Sequence, residues 1–201
     1  MTSERRQPTI AVLAVQGAFL EHEQRLERLG CSCIELRKAS DLDQPFDGLV
    51  LPGGESTVQG KLIDELGMLE PLRCLIMEGL PVLATCAGLI LLAREISDDS
   101  TSDPTRSPRL ATMLVTVRRN AYGRQLGSFH TSQDFSGLGE VPMTFIRAPF
   151  VEQAETGVEV LARVDGRIVA VRFGSQIAVS FHPELDSCDA IHTLFVNEIR
   201  V

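Results

Sequence analysis

The first half of the chain alternates short apolar runs with segments whose apolar positions recur every three or four residues. The run "TIAVLAV" is typical of a strand covered on both faces of a parallel sheet. "CSCIEL", "GLVLP" and "LPVLAT" predict further short strands, while "STVQGKLIDEL" and "AGLILLAREI" predict helices. Another predicted helix ends at Gly30, and one of its sides carries Phe19, His22, Leu26 and Leu29.

The second half is richer in strand patterns. "ATMLVTV", "MTFIRAP" and "VEVLARV" cluster or alternate β-forming residues, and "SQIAVSFHPE" predicts a strand that ends in a proline-interrupted turn. Asp165 and Gly166 lie between two apolar runs and predict a hairpin. Residues 97–108 are too polar to pack, so we expect an exposed loop there. The closing helix carries Ile191, Leu194, Phe195 and Ile199 at helical spacing.

Strands that alternate with helices favour an α/β fold in which helices cover both faces of a parallel sheet. We therefore predict a three-layer α/β/α architecture with a mostly parallel central sheet. A chain of 201 residues is long enough for one well-filled domain and short for two. The prediction is a single domain over residues 1–201.

Composition and charge narrow the classes of partner. The net charge of −8 disfavours nucleic acid or an anionic membrane as the main partner. The longest apolar stretch, residues 80–93, is too short to span a bilayer, and "IAVLAV" is too short for the core of a signal peptide. Five cysteines, without the spacing of a disulfide framework or a zinc site, favour the reducing cytoplasm.

Cys86 stands where an apolar strand pattern turns into a helical one. The small residues Ala87 and Gly88 follow it, as in the sharp strand-to-helix turn that presents a nucleophile. Backbone N–H groups at a helix N-terminus favour a negative charge, as a thiolate requires. A buried core cysteine is the alternative interpretation, but the context favours a nucleophile.

His182 and Glu184 provide a base and an orienting carboxylate. They are two residues apart in "SFHPE", so extended backbone places both side chains on one side. Pro183 favours that conformation at His182. Taken alone, the triplet would more often be a surface turn. Together with Cys86, it predicts a Cys-His-Glu triad.

The "LPGGES" segment predicts an oxyanion hole. Gly53 and Gly54 allow backbone N–H groups to point into a cleft after a strand. The same stretch also fits a plain glycine turn in which Ser56 caps the following helix, with Gln59 completing a capping box. Both interpretations can hold together.

These motifs, in this order, resemble the class I glutamine amidotransferases, which implies their flavodoxin-like version of the predicted fold. "LAVQGAFLEH", "LPGGESTV", "RNAYGRQ", "FIRAP" and "SFHPEL" more specifically resemble the family of glutaminase subunits of pyridoxal 5'-phosphate synthase. The similarity covers nearly the whole chain. The sequence differs from the usual family pattern at Tyr122 and in the longer polar loop 97–108.

The resemblance implies hydrolysis of L-glutamine to glutamate and ammonia through a thioester on Cys86. It assigns the oxyanion hole to the N–H groups of Gly54 and Ala87. The glutamine-binding positions that it implies are Gly54, Glu55, Ser56, Arg119, Ile146 and Arg147. Without it, Arg119 would be interpreted as surface charge and Arg147 as part of a salt bridge at a strand end.

The resemblance also implies a partner, a (β/α)₈-barrel subunit that uses the ammonia to build pyridoxal 5'-phosphate within a large hetero-oligomer. It implies no metal and no cofactor on this chain. One alternative is a non-catalytic module that keeps the fold, which the presence of Cys86, His182 and Glu184 disfavours. Another is a glutaminase of imidazole glycerol phosphate synthase or a γ-glutamyl hydrolase, which "GGEST", "RNAYGRQ" and "FIRAP" disfavour.

Overall fold

The computed structural model of the protein describes residues 6–97, 108–119 and 128–200. Most of the polar loop predicted at 97–108, and residues 120–125 of the "RNAYGRQ" motif with Tyr122, lie outside these ranges. Within the described ranges, no helix is both long and apolar enough to cross a membrane.

The described elements alternate in the first half of the chain, and strands dominate the second half. The helices are α1 (Phe19–Arg28), α2 (Ser56–Glu65), α3 (Leu69–Met77), α4 (Ala87–Leu92) and α5 (Ala190–Ile199). The strands are β1 (Thr9–Leu13), β2 (Ser32–Leu36), β3 (Gly48–Leu51), β4 (Val82–Thr85), β5 (Ala93–Ile96), β6 (Met113–Arg118), β7 (Ser128–Phe135), β8 (Gly139–Ile146), β9 (Phe150–Ala154), β10 (Glu159–Val164), β11 (Arg167–Phe173) and β12 (Gln176–Val179).

The centre of the sheet is parallel, in the order β2-β1-β3-β4-β12. Beyond β12, the strands β11, β10, β7 and β8 continue the sheet with antiparallel pairing. The parallel order is that of the flavodoxin-like doubly wound fold. The prediction of a single α/β domain with a mostly parallel central sheet is therefore confirmed.

Two apolar layers cover the two faces of the parallel strands. Ile10 and Val12 of β1 belong to one buried cluster, together with Leu26 of α1 and Phe195 of α5. The intervening residues of β1 belong to the other cluster, in which Ile63 of α2 and side chains of α3 and α4 are buried. Because successive side chains of a strand point to opposite faces, a continuously apolar strand fills both layers.

The predicted hairpin is present between β10 and β11, which pair antiparallel. Asp165 has φ 48° and Gly166 has φ 77°. Two successive residues with positive φ form the turn whose twist matches that of the flanking strands. The hairpin prediction is confirmed.

The helix predicted from "AGLILLAREI" is too long by four residues. The helix α4 ends at Leu92, and Ala93 adopts an extended conformation with φ −61° and ψ 131°. Residues Ala93–Ile96 instead form β5, which pairs parallel with β6. The run is buried on all sides up to Ala93, so its sequence carries no period that could separate helix from strand.

Candidate active site

A cavity of about 470 Å³ opens at the edge of the sheet where β1, β3, β4 and β12 end. The carboxyl ends of parallel strands are where this fold binds its ligands. Every substrate-binding and oxyanion residue predicted from the sequence lines the cavity, as do Cys86 and His182. These lining residues are Gly54, Glu55, Ser56, Cys86, Ala87, Arg119, Ile146, Arg147 and His182.

Cys86 occupies a sharp turn between β4 and α4. Its backbone has φ 48° and ψ −99°, an unfavourable conformation for a residue with a Cβ. The N–H group of Cys86 donates to the carbonyl oxygen of Val179 at 2.8 Å, which ties the turn to β12. The side chain is largely buried, and Sγ lies 4.0 Å from the carbonyl oxygen of Ile146. The turn therefore presents the sulfur at the cavity wall.

The absence of a side chain at Gly88 allows α4 to begin in direct contact with the sheet. A Cβ at this position would lie 2.2 Å from the carbonyl oxygen of Leu51, far inside the contact distance of real atoms. The helix thus begins directly against β3, which brings the backbone of Ala87 to the cavity.

His182 and Glu184 lie together just after β12. Nδ1 of His182 is 2.7 Å from Oε1 of Glu184, and both residues are buried. The N–H group of His182 donates to the carbonyl oxygen of Thr144 at 2.8 Å, which fixes the backbone of the turn. Glu184 lies behind His182 and does not line the cavity.

The imidazole of His182 is held in its charged form. Burial acts to lower its pKa, but hydrogen bonds to Cys86 and to Glu184, together with the charges of both, raise the pKa of His182 to about 10. At neutral pH the ring is therefore an imidazolium that donates to Cys86 on one side and to Glu184 on the other. A positive charge at that place stabilises a thiolate.

The glycine loop after β3 packs against the imidazole. A Cβ at Gly53 would lie 2.3 Å from Cε1 of His182, so the ring and the loop backbone touch directly. Gln16, which sequence reasoning missed, anchors the loop: its Oε1 accepts from the N–H group of Glu55 at 2.8 Å. A glutamine between a strand and a helix carries no pattern that would reveal this contact.

The predicted capping box at Ser56 is wrong. The N-terminal cap of α2 is Glu55, whose carboxylate accepts from the N–H groups of Thr57 at 3.0 Å and Val58 at 2.7 Å. Gln59 is instead buried, and its Nε2 donates to the carbonyl oxygen of Gln16 at 2.8 Å. A carboxylate satisfies two N–H groups where a hydroxyl satisfies one, which explains why the capping residue is Glu55 and not Ser56.

Charges of both signs surround the cavity. Burial acts to raise the pKa of Glu55, but the N–H groups of Thr57 and Val58 and the charge of Arg119 lower it overall. Arg147 is exposed at the cavity and has φ 45°, which turns the chain sharply after β8. Two guanidinium groups and one carboxylate can pair with the carboxylate and the ammonium of a free amino acid.

Two further histidines, His22 and His192, lie behind His182 and Glu184. His22, placed by the sequence on one side of the first helix, is fully buried, and its Nε2 lies 3.3 Å from Oε2 of Glu184. His192, also fully buried, contacts His22. His130 lies apart from the cavity lining, with Nδ1 2.9 Å from Oγ1 of Thr144. The signal at His22 was its position on the apolar side of α1, which does not show what the ring faces.

The comparisons with known proteins all indicate one family. The model of the SNO glutamine amidotransferase family matches residues 12–201. The pyridoxal 5'-phosphate synthase subunit PdxT of Desulfitobacterium hafniense (strain Y51) is 58% identical over 190 residues, which cover 94% of this chain and 92% of that protein. The subunit of the same name from Haemophilus influenzae (strain PittGG) is 48% identical, over 96% of this chain and 98% of its own.

Solved structures agree with the fold. A crystal structure of a glutamine amidotransferase superposes with a TM-score of 0.88 at 42% identity, covering 96% of this chain and 99% of the other. A glutamine amidotransferase from Thermotoga maritima superposes with a TM-score of 0.62 over 90% of this chain and 77% of its own. At 13% identity, the second likeness concerns the fold alone.

Proposed function

This chain belongs to the SNO glutamine amidotransferase family, and on that premise we propose that it is the glutaminase subunit of a pyridoxal 5'-phosphate synthase. It hydrolyses L-glutamine to L-glutamate and ammonia, and the ammonia serves the synthesis of pyridoxal 5'-phosphate. The observation that carries the proposal is the arrangement of Cys86 and His182 at the wall of a cavity large enough for an amino acid, with Nδ1 of His182 2.7 Å from Oε1 of Glu184.

The first half of the proposed reaction forms a thioester. The thiolate of Cys86 attacks the side-chain amide carbon of glutamine, and the carbonyl oxygen becomes an oxyanion. The N–H groups of Gly54 and Ala87, which both line the cavity, donate to that oxyanion. As the C–N bond breaks, the imidazolium of His182 gives its proton to the departing amine, which leaves as ammonia.

The second half of the reaction restores the cysteine. His182, now neutral, takes a proton from a water molecule, which attacks the γ-glutamyl thioester through a second oxyanion. The C–S bond then breaks, glutamate leaves, and Cys86 and His182 return to the thiolate and imidazolium forms. Glu184 holds Nδ1 of His182 throughout, which keeps Nε2 directed at the reacting atoms. The proposed reaction uses neither a metal nor a cofactor.

Recognition of glutamine rests on the charges and the shape of the cavity. We assign the free ammonium and carboxylate of the substrate to Glu55, Arg119 and Arg147, whose charges complement them. Ser56 and Ile146 line the same cavity and complete the proposed set of substrate contacts. The net charge of −8 does not oppose an anionic group here, because two arginines face the site.

The partner is the synthase subunit that the names of the relatives imply. We propose that it is a (β/α)₈ barrel, that the two subunits form a large hetero-oligomer, and that ammonia passes internally between them. Free ammonia is mostly protonated at neutral pH and is then a poor nucleophile. We also propose one glutaminase domain over residues 1–201 in the cytoplasm, which the five free cysteines support.

Glutamine hydrolysis by the purified chain, measured with and without its synthase subunit, tests this function. We expect the wild-type complex to release ammonia and Cys86→Ala to release none while still binding the synthase subunit. Cys74→Ala is the matched control, because Cys74 is exposed on α3 and does not line the cavity. Ammonia release by Cys86→Ala at the wild-type rate would show that the nucleophile is a different group.

A further inference from the structure

A row of buried side chains continues behind the triad. Nε2 of His22 lies 3.3 Å from Oε2 of Glu184 and 3.1 Å from Oγ1 of Thr85. Nδ1 of the same ring lies 2.9 Å from Nε2 of His192. Thr85 is the residue before Cys86, and it too is fully buried. The row thus joins α5 and α1 to the two strand ends that carry Cys86 and His182.

Both histidines of this row are neutral. Burial is the main cause that lowers the pKa of His22 well below its usual value, and repulsion by His192 when it is protonated, by His182 and by Arg25 acts in the same direction. Burial likewise lowers the pKa of His192 to about 4. Each ring therefore carries one proton, on one of its two nitrogens. The titratable or charged groups that face the pair are Glu184, His182, Arg25, Arg28 and Asp189.

Only two arrangements of these protons satisfy the contact between the rings. In the first, His192 donates from Nε2 to Nδ1 of His22, and His22 donates from Nε2 to Thr85 and Glu184. In the second, His22 donates from Nδ1 to His192, so the lone pair of its Nε2 faces the carboxylate oxygen of Glu184. That oxygen accepts and cannot donate, so the second arrangement places two acceptors against each other.

Two buried atoms favour the first arrangement. Among the described residues, neither Oε2 of Glu184 nor Nδ1 of His192 has an aligned hydrogen-bond partner, and the ring nitrogen Nε2 of His22 lies 3.3 Å from that oxygen. The second arrangement would leave the carboxylate oxygen unsatisfied and would also bury an unpaired N–H group at Nδ1 of His192. Each such loss is costly for a buried polar atom. The first arrangement leaves only an unpaired ring lone pair at His192.

We propose that His22 is a positioning residue of the glutaminase, which donates from Nε2 to Oε2 of Glu184 and so aims Oε1 at His182. This inference rests on the proposed function. Glu184 is then held at both oxygens, by His182 and by His22, while Nε of Arg25 donates to its backbone carbonyl oxygen at 3.3 Å. His22 itself touches no substrate, because it does not line the cavity.

The tautomer of His22 is directly measurable by NMR of the wild-type protein with ¹⁵N-labelled histidine. We expect the proton on Nε2 of His22 and also on Nε2 of His192, both unchanged from pH 7 to pH 8 because both rings are neutral there. A proton on Nδ1 of His22 would overturn the proposal without any variant being made.

Two amide substitutions test the contacts of the two ring nitrogens of His22 separately. The side chain of glutamine ends near the place of Nε2 and that of asparagine near the place of Nδ1. His22→Gln therefore keeps a donor for Glu184, whereas His22→Asn keeps only the contact with His192. In the complex with the synthase subunit, we expect His22→Asn to lower kcat for glutamine roughly ten-fold or more, with KM unchanged. His22→Gln should keep most of the wild-type kcat.

A second measurement does not need turnover of glutamine. The rate at which iodoacetamide alkylates Cys86, followed by mass spectrometry of its peptide, reports the thiolate that His182 stabilises. In His22→Asn the rise of this rate should move to higher pH, because a poorly aimed Glu184 stabilises the imidazolium less. Leu26→Ala is the control: Leu26 is buried one turn along α1, so its loss lowers stability without moving the profile.

The outcomes are separable. If His22→Asn and His22→Gln have the same pH profile of Cys86 alkylation and the same kcat, the role of His22 is limited to packing. The proposal then fails, whether or not the wild-type complex hydrolyses glutamine. If the profiles separate as expected but the wild-type complex releases no ammonia, the role of His22 stands and the proposed glutaminase function fails.

Discussion

Cys86, the proposed nucleophile, lies in a backbone conformation that its own side chain disfavours. A residue with a Cβ at φ 48° and ψ −99° loses about 1–3 kcal/mol relative to an ordinary turn. The hydrogen bond from Cys86 to Val179 and the burial of α4 against the sheet hold it there. Arg147, also at positive φ, similarly turns the chain at the cavity lining. Two of the four non-glycine residues with positive φ in the described part of the chain thus line the cavity.

At the residue scale, Arg147→Ala tests the proposed contact with glutamine. Because Arg147 lines the cavity without lying in the triad, its loss removes binding that is equal in the ground and transition states. We expect KM for glutamine to rise about ten-fold or more, as for the loss of a charge-assisted contact, with kcat little changed. Steady-state kinetics of the complex would measure both constants. Arg73→Ala, on the exposed side of α3, should change neither, and an unchanged KM in Arg147→Ala would remove that residue from the site.

At the element scale, the site depends on how closely helices and loops approach the ends of the strands. The helix α4 begins against β3, and the glycine loop after β3 packs against the ring of His182. The helix α2 is capped by Glu55, a residue that also lines the cavity, so one carboxylate serves both the helix and the site. The elements are therefore fixed by contacts made at the cavity itself.

Gly88→Ala tests the contact between α4 and β3. Helix propensity alone would stabilise the protein by up to about 1 kcal/mol on this change. The new Cβ would lie 2.2 Å from the carbonyl oxygen of Leu51, however, and backbone atoms cannot move aside cheaply. We expect the free energy of unfolding to fall by about 2–4 kcal/mol, measured by urea denaturation.

Gly30→Ala is the comparison for that change. Gly30 has φ 78° with open space around its Cα, so alanine there meets only the conformational penalty of about 1–2 kcal/mol. A stabilised Gly88→Ala protein would mean that α4 lies farther from β3 than the structure has it.

At the scale of the whole molecule, the parallel sheet gathers residues from distant parts of the chain at one edge. The loop after β1 carries Gln16, and the loop after β3 is the glycine loop. Cys86 follows β4, and His182 follows β12. The buried layer between α1 and α5 holds the histidine pair beneath them. The fold therefore buries both neutral and charged imidazole rings. For this reason the free energy of unfolding should depend on pH.

The stability of the protein should be greatest near pH 6.5. His22 and His192 have lowered pKa values, so the unfolded chain binds more protons than the folded one below pH 6.5, and stability falls with falling pH. For His192, with a pKa of about 4, the loss by pH 4 is roughly 3 kcal/mol. His182, with a pKa raised to about 10, acts oppositely: its contribution is complete below pH 6.5 and is lost as the pH rises towards 10.

Urea denaturation at a series of pH values would measure this dependence. His192→Gln keeps a donor for His22 but removes one titrating ring, so its stability should fall less steeply between pH 6.5 and pH 4. An equally steep fall in the variant would assign the acid sensitivity to other groups.

The features that depend on neighbours in the chain could be predicted from the amino-acid sequence. The continuous apolar strands, the hairpin at Asp165 and Gly166, the turn at Cys86 and the two-residue spacing of His182 and Glu184 are all local patterns, and each has a local physical cause. They were sufficient to predict the fold class, and the residues proposed for the site line one cavity or lie directly behind it.

The features that depend on contacts between distant segments could not be predicted and became visible in the folded chain. Pairing with β6 turned the end of a predicted helix into β5, since a run buried on all sides has no period of its own. His22 and His192 are 170 residues apart, and each alone is an ordinary histidine on the apolar side of a helix. Their relation to Glu184 exists only after α1 and α5 pack on the same face of the sheet, because a side chain's partner is set by the packing of elements and not by its neighbours in sequence.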